Sequence, residues 1–290
     1  MSPARRRQVV ERVRQELGVS ERRACKALGI GRSGVRYSPR TAPDRAALVK
    51  RMHELAQKHP RYGYRRVAAL LRREGWRVNT KRVHRLWRQE GLRVPKRQRK
   101  RRRLGCSANG CTRRRAGRIN EVWSYDFVLD QTADGRRLKV LPVVDEYTRE
   151  CLVMAVERSL TARDVVALLA RLFRERGAPA YLRSDNGPEF IAQAIKAWLA
   201  KSGVATLYIE PGSPWENAYS ESFNSRLADE VLDREVFSSL REAQVLLEGH
   251  RRQYNEERPH NSLGYVAPAV YAAACRQAGE GERTRLACTV

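Results

Sequence analysis

The chain has 290 residues, 42% of them hydrophobic, with 58 Lys or Arg against 32 Asp or Glu for a formal net charge of +26. That length suits about two domains with at least one sizeable core. No apolar run approaches the ~18 residues of a membrane span, no hydrophobic signal follows the charged N-terminus, and six scattered cysteines form no disulfide framework. The charge is lopsided: residues 1–120 carry 37 basic and 7 acidic side chains, residues 121–290 carry 21 and 25. Such a front favours a polyanion. Nucleic acid is the usual one, because phosphate neutralisation releases counterions. A cytoplasmic, nucleoid-associated protein is expected.

Residues 1–40 read as a small helical unit. Val9, Val13 and Leu17 lie at helical spacing and Gly18 ends the run. Ser20 is a candidate N-cap for a helix through Leu28, Gly29 turns the chain, and Ser33 starts a short third helix. Helix, glycine turn, helix is the outline of a helix-turn-helix, although any three-helix packing gives a similar pattern.

A second such unit is expected at 45–92, after Pro39 and Pro43. Leu48, Met52 and Leu55 form one stripe; Val67, Leu70 and Leu71 form the next, closed by Gly75. Thr80 is the expected cap of a third helix whose Val83, Leu86 and Trp87 face inward. Lys81, Arg82, Arg85 and Arg88 then form an outer basic face suited to DNA backbone or groove.

Residues 93–119 are almost all basic and polar, and Lys96, Arg97, Arg99, Lys100 and Arg101 belong to an unbroken run with scarcely an apolar residue. Such a segment cannot bury enough surface to fold alone. It reads as a DNA-hugging linker that contributes affinity and salt sensitivity but little sequence specificity. Cys106 and Cys111 lie inside it, and the five histidines do not complete a zinc site around them.

From Asn120 the texture is α/β. Val122–Asp130, Leu138–Tyr147 and Cys151–Val156 predict a three-stranded meander with a turn at Ala133-Asp134-Gly135. A helix over Thr161–Arg176, a strand at Ala180–Ser184, a helix at Phe190–Lys201, a strand at Ala205–Ile209 and a helix from near Glu216 follow. The order predicts a mixed five-stranded sheet with helices over 120–232, followed by a helical extension at 233–290.

Three carboxylates stand out in this region. Asp126 falls between Tyr125 and Phe127 in the first strand, where burial is costly unless the charge is compensated. Asp185 follows a strand, where ligand sites gather in open α/β sheets, and Glu221 lies early in a helix. Converging oxygen ligands favour Mg²⁺, with Mn²⁺ as a substitute. Two such ions about 4 Å apart suit phosphodiester transfer. Asp145 reads as a strand carboxylate paired at the surface with Arg149. His260 is not needed as a general base.

Trp123 with Asp126, SDNGPEF at Ser184–Phe190, SPWENAYSESFNSRL at Ser213–Leu227 and YNEERPHNSLGY at Tyr254–Tyr265 resemble the B-frame (OrfB) transposases of bacterial insertion sequences. Their catalytic half is similar to the retroviral integrase core. RYGYRRV at Arg61–Val67 and NTKRVHRLWRQEGL at Asn79–Leu92 resemble the same family's helix-turn-helix segment. The resemblance implies an RNase H-like fold, Asp126, Asp185 and Glu221 as an acidic triad, and a divalent metal. It also implies cleavage and joining of double-stranded DNA at terminal inverted repeats and target DNA. A homo-oligomer on DNA, fused or associated with an upstream A-frame helix-turn-helix protein, is the implied working form. Asn217 and Asn224 share a helix face with Glu221 as supporting residues, and Trp215 is placed to stack on a base. The basic residue that related integrases carry two turns after the Glu is replaced by Ala228, with Arg226 as the candidate DNA contact in its stead. Two other readings share most of these features: a DNA-binding regulator without catalysis, and a nuclease acting on RNA–DNA hybrids.

Overall fold

In the computed structural model, which describes residues 3–37, 42–95, 115–184, 193–208 and 218–287, the chain forms two compact units, Met1–Arg51 and Met52–Val290. In the first, α1 (Pro3–Leu17), α2 (Glu21–Ala27) and α3 (Arg32–Arg36) surround a small core of Val10, Ala24 and Cys25. Ser20 caps α2 as expected, its Oγ accepting from the Arg23 N–H at 3.4 Å. The apolar stripe of α1 differs from the expected one. Val10 is buried, whereas Leu17 is 68% exposed at the last helical position, where Gly18 turns the chain at φ +59°. Gly31, not Ser33, precedes α3. Glu21 holds α3 in place through Arg32 and Arg36, and those cations keep its carboxyl below the usual range although burial opposes them.

Helix α4 (Arg45–Lys58) spans the division, and α5 (Tyr64–Arg73) with α6 (Thr80–Gln89) completes the second helical segment. Gly75, at φ +90°, makes the turn between α5 and α6. Asn79 is the cap of α6, accepting from the Lys81 N–H at 2.8 Å. Thr80, the expected cap, is the first helical residue and bonds the Arg72 guanidinium instead. The amphipathic reading holds: Val83, Leu86 and Trp87 are buried, Lys81, Arg85 and Arg88 are exposed, and Arg82 is half-buried.

The sheet contains β1 (Val122–Tyr125), β2 (Val128–Gln131), β3 (Arg137–Asp145), β4 (Cys151–Glu157), β5 (Tyr181–Ser184) and β6 (Ala205–Tyr208). Both β1 and β2 lie antiparallel to β3, so they are two halves of one ribbon broken at Asp126 and Phe127. The expected continuous first strand is therefore interrupted at its carboxylate. With β4 antiparallel on the other side of β3, and β5 and β6 parallel to β1, six strands make five ribbons in the order β4, β3, β1/β2, β5, β6. Helix α7 (Ala162–Arg176) connects β4 to β5, and α8 (Gln193–Lys201) lies between β5 and β6. Three antiparallel ribbons followed by two parallel ones with helical crossovers is the RNase H-like α/β arrangement.

Each face of the sheet has its own core. Trp123, Tyr125, Leu141 and Val143 pack on α7 and α8 through Val165, Leu169, Leu172, Ile195 and Leu199. On the other face Leu138, Val140 and Val144 meet Phe223 and Leu227 of α9 (Ala218–Leu227) and Ala243 and Leu247 of α10 (Leu240–Glu256). A π-helical turn, Ala228–Leu232, follows α9 directly; a 3₁₀ turn at Asn261–Leu263 precedes α11 (Pro268–Ala287). No helix among the described residues is long and apolar enough to cross a membrane.

The helical segment of the second unit is tied to this core by polar contacts. Arg61 pairs with Asp229 at 3.2 Å, Lys58 with Glu257 at 3.2 Å, and Arg73 Nη1 donates to the Glu256 carbonyl at 3.0 Å. At the centre, Arg258 (2% exposed) grips Glu230 through bonds of 2.6, 3.0 and 3.1 Å. Burial pushes the Glu230 carboxyl up, but Arg258 outweighs it and holds the group below its usual 4.5. This stabilisation is therefore complete above that value and lost as pH falls through the lower folded pKa. Glu230→Gln is expected to lower the unfolding free energy by about 3–5 kcal/mol at neutral pH, because it leaves a buried guanidinium uncompensated. Denaturant titrations across pH check it: the deficit shrinks in acid, and a pH-independent deficit contradicts the account.

Candidate active site

Helix α9 is anchored by Phe223 and Leu227, which are buried against the sheet. That fixes the rotation of the helix and places Glu221, exposed in its first turn, three residues before the half-buried Asn224. Residues so spaced share a side of the helix. Asn224 Nδ2 donates to Asp126 Oδ2 at 2.9 Å, a direct tie between this helix and the break in the first ribbon. The Oδ1 of the same amide is buried and accepts no hydrogen bond. A buried orphan acceptor costs about 1–3 kcal/mol, and beside carboxylates it suits a donor that arrives with a hydrated cation.

Strand β5 runs parallel to β1, pairing Ser124 with Arg183, so both strands leave the sheet at the same end. Asp126 stands at that exit from β1, and Ser184 is the last residue of β5. Asp185 follows Ser184 in sequence and lies outside the described residues, as do Trp215, Asn217, Lys96, Arg97, Arg99, Lys100, Arg101, Cys106 and Cys111. The structure thus brings Asp126 and Asn224 together and puts Glu221 on the same helix side. Among the described residues no group of three His, Cys, Asp or Glu side chains is assembled.

Toward the start of β1, where the Glu146 N–H bonds the Val122 carbonyl, Arg183 Nε donates to Glu146 Oε1 at 2.8 Å, with the two side chains 5% and 0% exposed. The pair fastens the end of β5 to the residue after β3. Nothing local in the sequence signals it, because Glu146 ends a predicted strand and its partner lies 37 residues further on. Asp145 also departs from expectation. It is buried, its Oδ1 accepting from the Tyr147 and Thr148 N–H groups and its Oδ2 from the Asn120 N–H, each at 2.8 Å. Burial raises its pKa against those bonds. It organises the β3–β4 turn instead of pairing with Arg149 at the surface. Arg149, at φ +65°, lies over the Tyr219 ring of α9 at 3.8 Å. A non-glycine residue there is strained, which marks a turn set by its surroundings.

His260 is half-buried, 3.0 Å from Ser262 Oγ through Nδ1. Burial and then Arg258, Arg149, Arg226 and Arg66 drive its pKa down to about 3, so it is neutral near pH 7. The residue that sequence reasoning passed over is Arg258. It lies inside the quoted YNEERPHNSLGY stretch, where an arginine before a proline gives no sign that it is buried.

Comparison with known proteins places this geometry. Residues 116–214 and 202–268 match integrase core domains, and residues 43–101 match an HTH-like domain. The chain is 41% identical over 261 residues to an uncharacterized 31.7 kDa protein of insertion element IS407 from Burkholderia multivorans, covering 90% of this chain and 93% of that one. It is 30% identical over 251 residues to the transposase InsD for insertion element IS2 of Escherichia coli, covering 79% of each. It is also similar to the HTLV-2 integrase catalytic core, at 12% identity and a TM-score of 0.38, over 50% of this chain and 92% of that one. The chain belongs to the insertion-element transposases that carry an integrase core, DNA-acting enzymes of the DDE polynucleotidyl transferase class.

The two accounts of Asp145 differ measurably. Losing an exposed ion pair costs at most about 1 kcal/mol, whereas stranding three backbone donors costs several. Asp145→Ala is expected to reduce stability by about 2–4 kcal/mol in urea unfolding. Arg149→Ala is expected to leave the Asn120 N–H as protected from hydrogen exchange as before. Equal, small losses in both variants contradict the buried-turn role.

Proposed function

We propose that Asp126, Asp185 and Glu221 form the acidic triad of this transposase and cleave and join DNA strands at the terminal inverted repeats of its element. The observation that supports it best is the 2.9 Å bond from Asn224 to Asp126, which couples the Glu221 helix to the strand break at the end where β5 delivers the chain to Asp185. The donor set is all oxygen, and the orphaned Asn224 Oδ1 adds a buried acceptor, so the site fits hard divalent cations. Bound Mg²⁺, or Mn²⁺ in its place, would supply charge neutralisation at the phosphate and a lowered pKa for the attacking water or hydroxyl, with two ions per site on this reading. Asp126 would face both ions, with Asp185 and Glu221 each completing one.

The chain's own contribution is positioning. Asn224 orients the Asp126 carboxylate through its Oδ2. The Arg183–Glu146 pair fixes the end of β5 against β3. In each step a nucleophile oxygen bonds phosphorus and the strand's 3′-oxygen–phosphorus bond breaks: water attacks in cleavage, a freed 3′-hydroxyl in joining. Lys81, Arg85 and Arg88, exposed on α6, contact DNA on this reading, with Arg82 and the basic run at 93–119 adding phosphate contacts. Joining two ends needs two sites, so the working form is an oligomer on DNA, with or fused to an A-frame helix-turn-helix protein.

Asp185→Asn and Glu221→Gln are each expected to abolish Mg²⁺-dependent nicking of a duplex carrying the element's end while leaving its retardation on gels intact. Asn224→Ala is expected to slow nicking about 10–100-fold and raise the Mg²⁺ requirement, as removal of an orienting partner does. Cleavage that survives Asp185→Asn removes the triad assignment, and wild-type binding without any cleavage under Mg²⁺ or Mn²⁺ leaves a DNA-binding regulator.

A further inference from the structure

The triad leaves the first helical unit without a role. That unit has a core of its own in Val10, Ala24 and Cys25, and its α2 and α3 are joined by the four-residue turn Leu28–Gly31. Gly29, at φ +61°, lets the chain reverse there, and the Ile30 N–H returns to the Cys25 carbonyl at 2.9 Å. Two helices joined by a short glycine turn and packed together on α1 make the helix-turn-helix arrangement. The charge of the unit suits a polyanion. Residues 3–37 hold 10 Lys or Arg against 3 Asp or Glu, and Arg22, Arg23 and Lys26 of α2 are exposed.

One contact here does more than brace the helices. A single carboxylate, Glu21, accepts from two arginines, Arg32 Nε at 3.3 Å and Arg36 Nε at 2.8 Å. Two cations on one carboxylate keep a positive charge in excess, and both stay accessible, with side chains 44% and 61% exposed. Each bond uses Nε, which leaves the outer Nη fork of each arginine for another acceptor. Arg32 and Arg36 are one turn apart on α3 and share a side of it. The exposed residues between them, Ser33 and Gly34, are small, and Val35 packs into the core. Such a surface can approach a groove floor closely. A fork held at a fixed angle matches the O6 and N7 acceptors of guanine in the major groove. The carboxylate beside it repels a phosphate but not a neutral base edge, so these two arginines suit bases better than backbone.

We propose that the first unit is a sequence-reading DNA-binding module in which Arg32 and Arg36 each bind a guanine in the major groove and Glu21 positions both forks. Arg22, Arg23 and Lys26 contact the flanking phosphates and add affinity without sequence preference. Four helical residues rise about 6 Å and stacked base pairs about 3.4 Å, so a helix lying along the groove meets two guanines about two base pairs apart. The proposal rests on the chain acting on DNA, and on no residue of the triad.

The test uses the full chain, in a chelator so that no cleavage intervenes and failure of the triad assignment leaves the result untouched. Duplexes that wild type selects from a random pool are remade with single guanines replaced by 7-deazaguanine, which lacks the N7 acceptor. Two guanines about two base pairs apart are expected each to cost wild type about ten-fold in affinity when replaced, as loss of a charge-assisted bond does. Arg32→Gln is expected to abolish one of these penalties and Arg36→Gln the other. Glu21→Ala, which removes a negative charge and no cation, is expected to shrink both penalties without lowering the salt slope of log K. Arg22→Gln is expected to weaken every duplex alike and to reduce that slope by about 0.9. A Glu21 that only braces the helices gives the opposite result in Glu21→Ala, a lower melting temperature with base preference unchanged, and overturns the proposal. Penalties that persist in both arginine variants, or that vanish together in each, overturn it as well. Wild type that binds no duplex overturns it together with the DNA-acting reading on which it rests.

Discussion

Much of the second unit turns on the bond between Arg258 and Glu230. The glutamate belongs to the π-helical turn that ends α9, the arginine to the segment after α10, and Tyr62, before α5, lies 5.9 Å from the guanidinium with Tyr254 at 5.3 Å. One ion pair therefore joins the helical segment, the end of α9 and the C-terminal extension. It is a costly joint, because both charges leave water, and replacing such pairs by apolar groups often stabilises a protein. Its value here is geometric. A bidentate pair accepts one arrangement, whereas an apolar patch would tolerate sliding between three elements.

The π turn is part of the same constraint. Ala228 begins it, at the place where an uninterrupted α-helix would present the residue two turns after Glu221. The wider turn breaks the regular helical register from that residue on. Arg226, inside the regular helix, lines a cavity with Arg66 and Arg149.

Much of this was legible in the residues, for identifiable reasons. Periodicity located α5, α6 and α7 because each buries one face, apolar runs located strands such as β1 and β3 that are buried on both, and the charge split located the basic segment because folding cannot offset its repulsion. Asp126 was conspicuous as a carboxylate among aromatic neighbours, and the break in the ribbon at that point shows how the chain accommodates it. What stayed hidden depends on partners far along the chain. Arg258, Glu230, Arg183 and Glu146 look like solvated charges until a fold pairs them, and sequence offers no distance between residues 28 or 37 positions apart. Asp145 was misread for a related reason. Its partners are backbone N–H groups, which every residue has and which no side-chain pattern reveals. The caps show the same limit at short range: Asn79 and Thr80 are both good capping residues, and only the helix start decides between them.

The charge asymmetry acquires a sharper meaning from these contacts. The front of the chain is basic as a whole, but Arg61, Arg73 and Lys58 spend their charge on the core, binding Asp229, a backbone carbonyl and Glu257. They help hold the helical segment in place. The near-neutral back, conversely, contributes Arg149, Arg226 and Arg258 to one cavity that Arg66 also lines. Net charge by segment therefore misstates which part grips and which part cuts.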